Sequence, residues 1–439
     1  MLVIDVARLL DFPDEILANI VEAAYNTKEV QAIEISNTDG DWYVDADGIS
    51  SVSSLSRTCR RLKNIAQPVL FRAVGVHCIT TLAYMLATQP HLTRYIRGLF
   101  ILSPSVKNDN NPIYITAAQV TAFNRAIKLF GIVNEDGTTP EVCEMSGTDE
   151  VDTFHEDHRL AGIFSTLVVA QCQRVERLVV LTRCFEILRV ESSITFPRLV
   201  RIEKGHADTE MGTKLDLGWI IQAAPALTTI CCSSIYSVES DIAHASLLKF
   251  EADFSCFHAE DIDRVMVSFP SLQRFSYSSG GHMVDDDDEP PPGYWMNALL
   301  KQKQSLRSLS LAWHEGGDYN FEYDDVPDLW RPFRDFKVLE ELEITPILDG
   351  LGHDENDNQF LIKFLPTSIR KVSIMGHFSA DCLLTFVKFV PERFPNLKWF
   401  EAFITQQDRL AEVVAAFEQH AVQFQVWQSA WDRQHPSSL

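Results

Sequence analysis

Phe269-Pro270-Ser271-Leu272-Gln273-Arg274-Phe275-Ser276-Tyr277 is one copy of a pattern that recurs along most of the chain. An aliphatic residue is followed three positions later by a large apolar residue, and usually by another apolar residue two positions after that. This alternation predicts a half-buried β-strand, and the preceding proline predicts a helix end and a turn. Further copies occur at Ile96/Leu99/Ile101, Val175/Leu178/Val180, Leu199/Ile202, Leu227/Ile230/Cys232, Leu247/Phe250/Ala252, Leu306/Leu309/Leu311, Leu339/Leu342/Ile344, Ile369/Val372/Ile374 and Leu397/Phe400/Ala402.

The spacing of these copies indicates a repeat architecture. From Val175 onward they begin 20 to 34 residues apart, which is the range of leucine-rich repeats. Helical periodicity fills some intervals, for example Ala259 to Phe269 and Ala380 to Val390. We therefore predict an α/β fold with an irregular leucine-rich-repeat-like solenoid, parallel strands on its concave face and helices on its convex face. An α/β protein whose strands do not repeat is the alternative.

The repeats also predict a binding face. Side chains alternate along a strand, so the residue between the last two apolar positions of each copy points to the concave surface. Four of the nine such residues from Val175 onward are glutamates, which favours a ligand of basic character, although the row could equally be a solvated sheet face. The nine are Val179, Glu203, Cys231, Glu251, Ser276, Ser310, Glu343, Ser373 and Glu401. We add Trp313, His314 and Trp399, which lie near predicted strand ends, because aromatic residues are enriched at interface hot spots. The candidate substrate contacts are therefore Glu203, Glu251, Ser276, Ser310, Trp313, His314, Glu343, Ser373, Trp399 and Glu401.

The N-terminal region carries a second pattern. It reads Leu10-Asp11-Phe12-Pro13-Asp14-Glu15-Ile16-Leu17-Ala18-Asn19-Ile20, then Leu55-Ser56-Arg57-Thr58-Cys59-Arg60-Arg61-Leu62-Lys63-Asn64-Ile65-Ala66 and Pro68-Val69-Leu70-Phe71-Arg72. Pro13 suits the first position of a helix, and acidic residues after it face the positive end of the helix dipole. Apolar residues at helical spacing predict two short amphipathic helices. Spacing alone is also compatible with the first helices of any globular domain.

In this order, the segments resemble an F-box, in a protein similar to the fungal F-box family with leucine-rich-repeat-like C-terminal domains. Phe12 stands where that family usually has leucine, and residues 26–50 form a longer spacer than usual. The resemblance implies a substrate receptor of an SCF-type (Skp-cullin-F-box) ubiquitin ligase, with a protein substrate on the repeats. It also implies that the Skp adaptor is contacted by Leu10, Pro13, Ile16, Leu17, Ile20, Cys59, Leu62, Ile65, Pro68 and Leu70.

A local excess of positive charge accompanies this motif. Five basic residues and no acidic one lie between Arg57 and Arg72: Arg57, Arg60, Arg61, Lys63 and Arg72. Such a run is compatible with a solvated helix face. Under the F-box interpretation, it would steer the chain toward the Skp adaptor, which is acidic in this family.

The predicted domain organisation has four parts. Residues 1–75 form the F-box-like helical domain, 76–135 a coupling region, 136–160 an acidic loop and 161–439 the repeat domain. In the coupling region, residues 80–89 predict a helix, and Thr116-Ala117-Ala118-Gln119 predicts a capping box that opens another helix, which Gly131 ends. Acidic surface loops are also expected at 285–292, 315–328 and 349–358.

Composition excludes several classes of function. The 439 residues carry 38 basic and 61 acidic side chains, a net charge of −23, which disfavours nucleic-acid and membrane binding. Nine cysteines without CxxC pairs fit neither a disulfide framework nor a structural zinc site. With no signal-peptide pattern and no apolar run of membrane-spanning length, we expect a cytoplasmic or nuclear protein.

The sequence provides no catalytic motif. It lacks the glycine-rich nucleotide-binding loops and the Gly-x-Ser-x-Gly element of α/β-hydrolases. His155-Glu156-Asp157-His158 lies in the predicted acidic loop without the i, i+4 spacing of helical zinc ligands. We therefore predict neither enzyme activity nor a cofactor. The alternatives are a repeat scaffold with no ubiquitin role, whose N-terminal helices cap the solenoid, and a hydrolase with a site assembled from distant residues.

Overall fold

The computed structural model describes residues 11–25, 46–105, 115–134, 136–144, 153–182, 186–206, 212–239, 242–280, 292–312, 333–344 and 358–426. The chain divides into two compact units. The first comprises residues 1–207 and 219–227, and the second comprises residues 208–218 and 228–439.

The first unit begins with three helices, which we call the helical module. They are α1 (Asp14–Tyr25), α2 (Ala46–Thr58) and α3 (Arg60–Leu70). Pro13 precedes α1, and the acidic side chains of Asp14 and Glu15 occupy its first turn, as the sequence predicts. Helix α3 begins after Cys59, whose Sγ accepts a hydrogen bond from the Leu62 backbone N–H at 3.5 Å. The first predicted amphipathic helix is therefore present. The second one, predicted from Leu55 to Ile65, is divided, because α2 ends at Thr58 and α3 begins at Arg60, with Cys59 between them.

The remainder of the first unit alternates strands and helices: β1 (Ala73–Cys78), α4 (Ile79–Thr88), β2 (Gly98–Ser105), α5 (Ala117–Phe130), β3 (Ile132–Val133), α6 (Thr153–Gln171), β4 (Arg177–Thr182), β5 (Arg189–Val190), β6 (Arg201–His206) and α7 (Gly218–Gln222). Strands β1, β2, β4 and β6 pair in parallel in that order. The predicted capping box is confirmed, since Thr116 and Gln119 exchange hydrogen bonds at the start of α5. Gly131 ends that helix with a φ of 62°, in the left-handed region that glycine adopts readily.

The second unit contains a long parallel sheet. Its strands are β8 (Thr229–Ser233), β10 (Lys249–Ser255), β11 (Arg274–Ser279), β12 (Ser308–Ala312), β13 (Glu341–Ile344), β14 (Lys371–Phe378), β15 (Trp399–Ile404) and β16 (Gln423–Val426). They lie side by side in chain order. A separate parallel pair is formed by β7 (Thr213–Leu215) and β9 (Ile235–Val238). The helices are α8 (Ala259–Ser268), α9 (Pro292–Leu299), α10 (Phe360–Phe364), α11 (Ala380–Arg393) and α12 (Leu410–Glu418).

The apolar positions of the repeat pattern form the core of this second unit. Phe250, Phe275, Leu309, Leu342, Val372 and Phe400 are paired in register on successive strands and are buried. Helices cover this side of the sheet. The Trp295 ring of α9 lies 4.3 Å from the ring of Tyr277, and the Phe386 ring of α11 lies 5.2 Å from that of Phe400. Burial of aromatic side chains between a sheet and helices is a large stabilising contribution.

The predicted α/β class is thus confirmed at the level of a mixed fold with a large parallel sheet. Each of the ten copies of the pattern coincides with a strand, and six further described strands match no copy: β1, β3, β5, β7, β9 and β16. The predicted acidic loop 136–160 is wrong at its end, because α6 begins at Thr153 and includes His155-Glu156-Asp157-His158. The acidic segments 285–291, 315–328 and 349–357 lie outside the described residues.

Candidate binding surfaces

The interior of the helical module is built from residues that the sequence predicted as adaptor contacts. Leu17 of α1 and Leu62 of α3 form a buried pair, each 1% exposed. Ile20, Cys59 and Ile65 pack against them and are half-buried. The prediction that Leu17 and Leu62 lie on a docking surface is therefore wrong for this conformation, since both side chains are already removed from solvent within the module.

Other predicted adaptor contacts are accessible. Pro13 is exposed, and Ile16 is 42% exposed. Phe12, which the prediction omitted, is 46% exposed. Pro68 and Leu70 are half-buried, while Leu10 lies outside the described residues. Large exposed apolar side chains grouped at one helix end are characteristic of protein interaction sites.

Two arginines connect the helices of the module. The Arg61 guanidinium of α3 lies 2.7 Å from the Asp14 carboxylate, and it also donates a hydrogen bond to the Phe12 carbonyl at 2.8 Å. Arg72 forms a bidentate pair with Glu22, which raises the pKa of Arg72. Arg61 therefore holds the backbone at the start of α1, where Phe12 and Ile16 are presented to solvent.

The predicted binding face of the second unit forms a continuous row across the sheet. We call this the central row: Cys231, Glu251, Ser276, Ser310, Glu343, Ser373, Glu401 and Gln425 are paired one to the next through the strand register. The predicted residues are thus brought together on one face. Of these, Glu343 is exposed, and Glu251, Ser276 and Ser310 are half-buried.

Serine and glutamate alternate within the central row as hydrogen-bonded partners. Ser310 Oγ donates to Glu343 Oε2 at 3.4 Å, and Ser373 Oγ donates to Glu401 Oε2 at 2.9 Å. Ser373 and Glu401 are only 3% and 4% exposed. Their prediction as substrate contacts is therefore wrong, because they are buried and pair with one another across the sheet.

A second row of polar residues lies beside the central row, two positions earlier on each strand. It contains Thr229, Lys249, Arg274, Ser308, Glu341, Lys371, Trp399 and Gln423. Lys249 Nζ lies 2.7 Å from Glu251 Oε1. Trp399, a predicted contact, is half-buried in this row. The presence of lysine and arginine makes the face mixed in charge, which the central row alone did not indicate.

Strand β10 is irregular next to its carboxylates. Its register with β11 shifts between Ala252 and Ser255, and Phe254 has a φ of 47°. Burial, followed by the nearby Glu251 carboxylate, raises the pKa of Asp253 to about 6, against a smaller opposing effect of Lys249. Bulges of this kind often re-aim side chains at functional sites. Asp253 is therefore a carboxylate of this face whose charge changes near neutral pH.

The equivalent face of the first unit contains a buried carboxylate. Glu203 Oε1 accepts hydrogen bonds from Arg177 Nε at 2.6 Å and from Arg201 Nε at 2.7 Å, and the side chain of Glu203 is fully buried. The prediction of Glu203 as a substrate contact is therefore wrong, because both arginines already hold it. A buried carboxylate requires such partners.

Two of the predicted substrate contacts cannot be placed on the sheet. Trp313 and His314 lie outside the described residues. Within the described ranges, no group of three or more histidine, cysteine, aspartate or glutamate side chains could hold a metal ion, and no helix is both long and apolar enough to cross a membrane.

No family model matches the sequence, and a search of curated proteins gives no match.

Proposed function

We propose that this protein is the substrate receptor of an SCF-type ubiquitin ligase, with the helical module docking on a Skp adaptor and an irregular leucine-rich-repeat-like sheet binding a protein substrate. The observation that carries the proposal is the arrangement at the start of α1. Phe12, Pro13 and Ile16 are exposed there beside a helical core, while Leu17 and Leu62 occupy that core. The receptor would act by holding a substrate lysine near the ubiquitin-charged partner, through proximity alone.

The register of the sheet supports the second half of the proposal. Equivalent residues of successive strands form rows, and the face opposite the helices carries half-buried and exposed polar residues. Repeat proteins bind partners on such extended faces. On this face, the described carboxylates Glu251, Asp253, Glu341 and Glu343 are half-buried or exposed and are available to a basic segment of substrate.

Capture of the full chain by the Skp adaptor tests the proposal. We compare wild type with Ile16→Asp and with Leu129→Asp, a matched control on α5 where Leu129 is 72% exposed. Ile16→Asp should weaken adaptor binding by about 2 kcal/mol or more, because it places an unpaired charge in an apolar contact. Leu129→Asp should bind as wild type does. Equal binding by all three chains would contradict the assignment of Ile16.

A repeat scaffold with no ubiquitin role is the second candidate. The burial of Leu17 and Leu62 favours this candidate, because a helical module that buries its apolar residues in its own core can serve as a structural cap at the end of a sheet. For such a scaffold, no capture by the adaptor is expected from a wild-type chain with native circular dichroism. The same experiment therefore separates the two candidates.

A further inference from the structure

A cleft of about 860 Å³ lies between the helical module and the turn that follows α4. Its cationic side chains are Arg57, Arg60 and Lys63 of the module, and His91 of a 3-10 turn spanning Pro90–Tyr95 also lines it. The other lining residues are uncharged, and no aspartate or glutamate lines it. In a chain of net charge −23, a cleft with three cationic side chains and no carboxylate requires a specific explanation.

The structure divides the basic run of the sequence into two groups. Arg61 and Arg72 are neutralised by Asp14 and Glu22 within the module. Arg57, Arg60 and Lys63 are exposed, and none forms an ion pair with another described residue. Only the second group is thus available to an anionic partner.

The cleft occupies its own face of α3. Arg60, Lys63, Asn64 and Gln67 recur at intervals of three and four residues, whereas the buried face is formed by Leu62, Ala66 and Val69. At about 100° and 1.5 Å per residue, this polar face is about 10 Å long, and its centre lies about 150° from Ile65 and about 90° from Pro68 around the helix. The length corresponds to about three residues of an extended peptide.

The other polar groups indicate what kind of anion fits. Asn64, Gln67 and Gln89 supply amide donors and acceptors along the cleft, which can pair with a peptide backbone. No phenylalanine, tyrosine or tryptophan lines the cleft, so His91 supplies the one aromatic ring among its lining residues on which a nucleic-acid base could stack. We propose that this basic cleft binds an extended acidic segment of a partner protein, at a site separate from the adaptor contact at Ile16.

Binding of a fluorescein-labelled oligoglutamate peptide to the full chain, without adaptor, tests this proposal. At about 0.15 M salt the Debye screening length is about 8 Å, so carboxylates of the chain far from the cleft repel the peptide only weakly. The cationic side chains of the cleft attract the peptide at shorter distances, where screening is weaker. The double variant Arg60→Gln, Lys63→Gln should weaken binding about tenfold, since two charge-assisted contacts are lost.

The chain offers a closely matched control. Arg125 and Lys128 have the same residue types and spacing on α5, and both are exposed. Arg125→Gln, Lys128→Gln therefore changes the net charge equally and should leave peptide affinity unchanged. Equal weakening by the two double variants, or no peptide binding by wild type, would overturn the proposal. If inorganic phosphate displaced the peptide at a concentration equal to that of the peptide, the cleft would be a phosphate site. That result would also overturn the proposal.

Discussion

Ser373 and Glu401 face one another on the adjacent strands β14 and β15, and the serine hydroxyl donates to the buried glutamate carboxylate at 2.9 Å. Two residues that the sequence suggests as ligand contacts thus pair with each other. A hydrogen bond to a buried charged group stabilises more than one at the surface. The pair should therefore contribute to the stability of the sheet, and its contribution can be measured.

A double-mutant cycle with Ser373→Ala and Glu401→Gln should give a coupling energy of about 1–2 kcal/mol in urea unfolding. The same cycle with Ser310→Ala and Glu343→Gln is the control, because that pair is 3.4 Å apart and accessible to water. Its coupling should stay below about 0.5 kcal/mol. Equal coupling in the two cycles would show that burial does not strengthen the Ser373 contact.

Replacement of Glu203 by glutamine should destabilise the first unit. The substitution keeps the shape of the side chain but removes the negative charge that Arg177 and Arg201 share. We expect a loss of about 1–3 kcal/mol in the free energy of unfolding, measured by urea denaturation. Glu191→Gln, at an exposed position of the same unit, should change it by less than about 0.5 kcal/mol. A similar small change for Glu203→Gln would contradict a structural role for the carboxylate.

Asp253 should make stability depend on pH. Its folded-state pKa is raised to about 6, so the folded chain holds this proton more tightly than the unfolded chain, in which the pKa is about 4. The stabilisation from this proton is complete below pH about 4 and is lost as the pH rises through about 6. Relative to wild type, Asp253→Asn should gain about 1–3 kcal/mol in unfolding free energy between pH 4 and pH 7.5.

Urea midpoints of the two chains at several pH values give this difference directly. Parallel profiles for wild type and Asp253→Asn would show that Asp253 titrates normally.

The strands could be predicted because each copy of the pattern places aliphatic and aromatic residues at fixed intervals. Two of the missed strands, β1 and β16, lack one of those residues. Ala421 stands where the other copies begin with a large aliphatic residue, two residues before β16, and it adopts a φ of 56°. Before β1, that position is Phe71, which was assigned to the helical motif. A pattern defined by large aliphatic side chains misses strands with such substitutions.

The start of α6 was missed for an electrostatic reason. The acidic residues around Glu156 suggested a loop through like-charge repulsion, but they lie in the first turns of a helix. Leu160, Phe164 and Leu167 of the same helix are buried and anchor it by hydrophobic packing. Charge density alone therefore did not distinguish a loop from the start of a helix.

The sequence predicted which residues of the binding face align across the strands, but not which of them are exposed. Alternation along a strand determines the side of the sheet on which a residue lies, and the central row is aligned as expected. The depth of burial depends on neighbours from other strands, as for Glu203 beneath Arg177 and Arg201. The second row could have been found by counting two residues back from each predicted contact. The basic cleft could not, because His91 reaches it only through tertiary packing.

The chain-order arrangement of strands in the second unit has a consequence for synthesis and folding. From β10 to β16, each strand of the long sheet pairs with the sheet strand that precedes it in the chain. Each strand can therefore pair as soon as it is synthesised, without a segment from much later in the chain. Closing each connection costs little additional entropy, since loop-closure entropy increases slowly with length. A nascent chain can therefore add strands one at a time to a growing edge as it leaves the ribosome, and contacts between neighbours favour rapid assembly.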